Sequence, residues 1–97
     1  MKLTRRDKYL RKKYGITEAV YAVMLAKYNG TCWICTRKPK KGALNVDHDH
    51  KTGQVRGLLC YFCNKFVIGR SRAEHAARYR IAANYLDSTK DWRRAEN

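Results

Sequence analysis

The spacing of apolar positions changes along the chain, and each change marks a different kind of element. Tyr21, Met24, Leu25 and Tyr28 recur at i, i+3, i+4 and i+7, which is one face of a helix. Thr17 offers an N-cap to that helix, Glu18 complements its dipole in the first turn, and Gly30 supplies the left-handed residue that ends it. The stripe reads as core. Ahead of it, Lys2 to Tyr14 predicts a basic, mostly helical segment broken at Gly15. From Thr31 to Phe66 the helical period is lost. There Leu44 to Asp47 and Val55 to Leu59 predict two short strands, joined by Asp49 to Gln54 with its turn-forming Gly53 into a β-hairpin with a longish loop. Asn64 onward predicts a turn or two of helix, as far as Gly69. Ser71 and Glu74 form a capping box that opens a last helix, with His75, Tyr79, Ala82 and Leu86 on one face and Arg72, Arg78 and Arg80 on the others. His75 reads as a packing or capping residue rather than a ligand. The tail from Asp87 to Asn97 is polar and expected to be loosely held, with Trp92 folding back.

Length and charge sharpen this pattern. A chain of 97 residues forms one small domain, expected as basic helices over 1–30, a core over 31–70 and a C-terminal helix with tail over 71–97. A domain of this size buries only about 60–65% of its unfolded surface, so a cross-link or metal is expected to staple it. Twenty-two Lys and Arg against eight Asp and Glu give a formal net charge of +14 and a pI near 10.0. Such a surface calls for a polyanionic partner, with nucleic acid ahead of an anionic membrane. Lys2, Arg5, Arg6, Lys8, Arg11, Lys12 and Lys13 read either as a nucleic-acid contact arm or as a solvated leader. No run approaches the roughly 18 apolar residues of a membrane span, and the basic N-terminus has no apolar stretch behind it as a signal peptide would. A cytoplasmic protein is expected.

The chemistry begins at the cysteines. Cys32-Trp-Ile-Cys35 and Cys60-Tyr-Phe-Cys63 are two C-x-x-C pairs separated by 24 residues. Each pair can turn two thiolates onto one ion, and together they complete a tetrahedron with no open position. The expectation is a structural Zn²⁺ whose binding energy adds to folding. A thioredoxin-like redox pair lacks its βαβ context, and two disulfides require export.

Inside the loop that the zinc would close lies Asn45-Val-Asp47-His48-Asp49-His50, and Asn64 follows the last cysteine directly. Asp47 and Asn64 present oxygen ligands suited to a hard cation such as Mg²⁺. His48 has the side chain that titrates near neutrality and can take a proton from water beside a phosphate. That set suffices to hydrolyse a phosphodiester. Taken as a string, Asp-His-Asp-His is equally a polar hairpin or a further zinc site.

The run from Leu44 through Asp47-His48-Asp49-His50-Lys51-Thr52-Gly53-Gln54-Val55-Arg56-Gly57-Leu58-Leu59-Cys60-Tyr61-Phe62-Cys63 to Asn64 closely resembles the signature of the recombination endonuclease VII family. The likeness extends upstream through Lys13-Tyr14-Gly15-Ile16-Thr17 to Cys32-Trp33-Ile34-Cys35 and covers roughly residues 5 to 70. That family belongs to the HNH, or ββα-metal, nucleases and is common in bacteriophages. The resemblance implies a small α+β fold with a zinc-stabilised ββα-metal core and flanking helices. It also implies an Mg²⁺-dependent DNA endonuclease with a single catalytic metal. Asp47 matches the metal-binding acid, Asn64 the second metal ligand and His48 the general base that activates water. His50 matches a second histidine that orients the site or contacts the phosphate. One member of the family has a further acid a turn beyond the asparagine, where this chain has Val67. The products implied are a 5′-phosphate and a 3′-hydroxyl.

Arg56, Lys51 and Lys65 lie near enough in sequence to steady phosphates, although Arg56 reads equally as a strand residue that packs or pairs locally. Contacts of that kind position DNA without reading bases, so low sequence specificity or branch-directed cutting is expected, as nicks or double-strand breaks. Monomer and homodimer both stay open. The competing class is a zinc-ribbon module that binds nucleic acid without cutting it. Such a binder has no reason to carry Asp-His-Asp-His and Asn64 together.

Overall fold

The computed structural model describes residues 2–40, 42–69 and 76–94. Helix α1 (Arg5–Tyr14) starts where Thr4 accepts a hydrogen bond from the Asp7 amide at 2.9 Å. It stops at Gly15, whose φ of 75° lets its amide return to the Leu10 and Arg11 carbonyls. Helix α2 (Glu18–Lys27) is capped by Thr17, which accepts from the Val20 amide at 3.1 Å. Buried Asp7 joins the two helices by accepting from the Glu18 amide at 2.7 Å and from Arg11. Those two partners, in that order, hold its carboxyl below the usual range.

The apolar face of α2 is Val20, Tyr21 and Met24, continued backward by Ile16. Leu25 is half-buried and Tyr28 is exposed, so the stripe expected through Tyr28 is turned by one residue. The Tyr21 hydroxyl donates to the Leu44 carbonyl at 2.7 Å and ties α2 to the sheet.

Strands β1 (Asn45–His48) and β2 (Val55–Leu59) form one antiparallel hairpin. Asn45 lies opposite Leu59, Val46 opposite Leu58 and Asp47 opposite Gly57, but His48 lies opposite Val55. Arg56 is therefore an extra residue, a bulge that turns its side chain from the alternating pattern. The loop is organised by Asp49, which accepts from the amides of Lys51 at 2.8 Å and Thr52 at 3.2 Å. Those amides, Lys51 first, hold the Asp49 carboxyl below its ordinary value. Asp49 is thus engaged in shaping the turn.

After the hairpin the chain winds as a π-helix over Cys63–Ile68. Helix α3 (Ala76–Asp87) then packs back with Ala82 and Tyr85 buried. Leu86, expected on the buried face, is 39% exposed, because the helix is rotated to deliver the Tyr85 hydroxyl to a buried carboxylate. The expected capping box at Ser71 and Glu74, together with Arg72 and His75, lies outside the described residues.

The expectation of a loose tail is corrected at residues 91–93. Trp92 is 5% exposed and meets Trp33 edge-on at 5.8 Å. Asp91 pairs with Arg93 at 2.6 Å, and that pairing holds its carboxyl down to about 2. The Arg93 side chain lies within 3.4 Å of where a Cβ on Gly15 would stand and 3.0 Å of one on Gly53. These docked residues link the hairpin turn to the α1–α2 junction. Among the described residues, no helix is long and apolar enough to cross a membrane.

Candidate functional site

Cys32, Cys35, Cys60 and Cys63 bring their sulfurs within 4.8 Å of one another, and none forms a disulfide. The Cys35 and Cys60 sulfurs are 3.7 Å apart. A tetrahedron with metal–sulfur bonds of about 2.3 Å has an edge of about 3.8 Å, so the donor set fits one metal ion. The backbone serves the same arrangement. Amides of Ile34 and Cys63 point at the sulfurs of Cys32 and Cys60, each at 3.4 Å. The Trp33 amide donates to the Leu58 carbonyl at 3.0 Å, fixing the first cysteine turn to β2. A hydrogen bond from Cys63 lowers the Cys32 thiol to about 4, while that same bond, and then burial, push Cys63 up. Burial also raises Cys35.

Asp47 is 2% exposed and fully engaged in a network the sequence did not announce. Arg56 grips it with two parallel bonds, Nε to Oδ2 at 2.9 Å and Nη2 to Oδ1 at 3.1 Å. The buried Tyr85 hydroxyl donates to Oδ2 at 2.8 Å. Burial, then the Asp47 charge, push the Tyr85 hydroxyl far above its ordinary value, so it stays a donor. Gly57 makes this possible, since a Cβ there would stand 2.5 Å from the Trp33 ring and 2.7 Å from the Tyr85 oxygen. A glycine inside a strand signals such a close approach, and that was the one sequence cue to this cluster. Arg56 thus makes the local pairing that was one of its two expected readings.

His48, the next residue, has different neighbours. Its ring is half-buried, edge-on to Tyr14 at 5.2 Å and tilted against exposed His50 at 4.5 Å. Burial, then the neighbouring His50, lower its pKa, so the imidazole is neutral at physiological pH. Lys13 is close enough to contribute to the same lowering. Tyr14 was missed from sequence because an aromatic at a helix end reads as packing. Half-buried Asn64 stands at the start of the π-helix, its amide bonded to the Cys60 carbonyl at 3.0 Å.

The remaining basic residues are distributed unevenly. Arg6 lies over the Tyr21 ring at 4.8 Å and Arg11 pairs with Asp7, so both serve the fold. Arg5, Lys12, Lys13 and Lys51 are exposed, as is Lys65, which donates to the Tyr61 hydroxyl at 2.9 Å.

The model of one family, recombination endonuclease VII, matches residues 7–88. The Gene 59 protein of Mycobacterium phage D29 is 52% identical over 60 residues, which are 61% of this chain and 36% of that protein. The Gene 59 protein of Mycobacterium phage L5 is 53% identical over 60 residues, 61% of this chain and 37% of the relative. The chain thus spans little more than a third of the length of these relatives. No solved structure matches.

Proposed function

The chain belongs to the recombination endonuclease VII family, and from that premise we propose that it is a divalent-metal-dependent endonuclease hydrolysing DNA phosphodiester bonds. The observation that carries the reading is His48, a neutral, half-exposed imidazole beside His50 and within reach of Lys13. In that state its free ring nitrogen accepts a proton from an attacking water, while Lys13 contributes positive charge for a phosphate. His50 orients the His48 ring or meets the phosphate itself.

Zn²⁺ at the four cysteines is structural, since four thiolates leave no open position. It joins the first cysteine turn to the hairpin and the π-helical segment, which together we read as the HNH, or ββα-metal, core. Asp47 and Asn64 are the oxygen donors proposed for a Mg²⁺ or similar cation, which when bound would offset charge developing on the scissile phosphate. Three hydrogen bonds already occupy Asp47, so a cation and Arg56 compete for one carboxylate. Exposed Arg5, Lys12, Lys13, Lys51 and Lys65 supply phosphate contacts without base readout, which favours low sequence specificity.

The test incubates the zinc-loaded protein with supercoiled plasmid in the absence and presence of Mg²⁺, Mn²⁺ and Ni²⁺. Relaxed or linear DNA bearing 5′-phosphates, formed only with added cation, is expected. Plasmid that is bound but intact with every metal would overturn the nuclease reading in favour of a binding module.

A further inference from the structure

Away from Asp47 and His48, the second cysteine turn raises two aromatic rings beside a groove. Tyr61 and Phe62 occupy the two positions between Cys60 and Cys63 and are 63% and 37% exposed. The cysteine cluster on either side holds their backbone in place. The groove they border has a volume of about 790 Å³, within the range that accommodates nucleotide-sized ligands. Arg37, Lys38, Lys40 and Arg78 also line it, and among the described residues no acidic side chain does. The Arg78 guanidinium lies 4.8 Å over the Phe62 ring, and Lys65 donates to the Tyr61 hydroxyl. Cations and π-faces therefore share one concave surface and its rim.

We propose that this groove binds an unpaired DNA strand, with bases stacked on Tyr61 and Phe62 and phosphates held by the surrounding Arg and Lys side chains. The inference rests on the DNA part of the proposed function and specifies which form of DNA the zinc-bearing end takes. Duplex DNA hides its base faces, whereas a single strand offers both the faces and the charges this lining complements. A second copy of the chain would bring like charges together.

Fluorescence anisotropy tests this, using labelled oligo(dT) and a duplex of equal length with the zinc-loaded protein and no added divalent cation. Changing Tyr61→Ala and Phe62→Ala together is expected to lower the ratio of single-strand to duplex affinity about tenfold, with zinc content and circular dichroism unchanged. Tyr61→Trp with Phe62→Trp is expected to keep or raise the ratio, which separates stacking from a folding defect. Equal losses on both DNAs, or no loss on either, would overturn the proposal. So would loss of binding to anionic phosphatidylglycerol vesicles, or of self-association in sedimentation, with oligo(dT) binding untouched. Cleavage is not read in this assay. A protein that grips oligo(dT) through these rings but never cuts plasmid would defeat the nuclease reading alone.

Discussion

Asp47 and His48 are adjacent on β1, yet the fold surrounds them in opposite ways. Asp47 faces Arg56 of β2 and Tyr85 of α3, whose three hydrogen bonds satisfy its charge. His48 faces the N-terminal helix, where Tyr14 meets it edge-on and burial, then His50, lower its pKa. Successive strand residues point to opposite faces, and the bulge at Arg56 deepens the division by sending its guanidinium to Asp47. One side is an ordered electrostatic core that a cation would enter only in competition with Arg56; the other is a neutral imidazole near solvent. The difference teaches that a motif of consecutive residues need not be a single site of uniform character.

Removing the metal should erase both sides together. The cysteine cluster fixes β2 and the π-helix, so chelation is expected to unfold the protein, a loss on the order of 10 kcal/mol. Far-UV circular dichroism beside zinc content would register it. The pH sense follows from the thiols. Cys35 and Cys63 are raised and hold protons at neutral pH that an ion must displace, so apparent zinc affinity should rise with pH and fall on acidification. A competition titration with a chromophoric chelator at several pH values checks the direction.

The next largest effect belongs to the Asp47 side alone. Arg56→Ala strands a buried carboxylate and is expected to cost about 3–5 kcal/mol in denaturant titration. The same variant should gain more thermal stability from added divalent cations than the wild type, because a competitor for Asp47 is gone. Gly57→Ala would drive a methyl into Trp33 and Tyr85, with an expected loss of about 1–3 kcal/mol. Tyr85→Phe removes one donor but leaves the ion pair, and about 1.5 kcal/mol is expected. If Tyr85→Phe cost as much as Arg56→Ala, the hydroxyl rather than the guanidinium would be holding Asp47.

What the sequence made legible was local. Two C-x-x-C pairs specify their own turns, and the hydrophobic patterning of Leu44–Asp47 and Val55–Leu59 specifies the hairpin to within a residue at its first strand. The caps at Thr17 and Gly15 were readable for the same reason. What escaped depends on partners distant in the chain. Tyr85 reaches Asp47 across 38 positions, and only the folded hairpin shows why α3 presents Tyr85 instead of Leu86. The bulge at Arg56 breaks strict alternation without a glycine at that position to announce it. The sequence indicates that Trp92 folds back, but not that Trp33, far away in the chain, receives it edge-on. Asp49 resembled a site residue only through its neighbours; its carboxylate is occupied by the loop's own amides.

The smallest expected change in stability belongs to the His48 side, and it carries the largest expected change in activity. Half-buried His48 makes ring contacts rather than a buried ion pair, so His48→Ala should alter unfolding free energy by less than about 1 kcal/mol. The decisive measurement compares plasmid cleavage rate with unfolding midpoint for wild type and His48→Ala, both zinc-loaded and supplied with Mg²⁺. A rate lowered about 100-fold or more at an unchanged midpoint is expected of a general base. Equal cleavage by a folded His48→Ala protein would contradict the account.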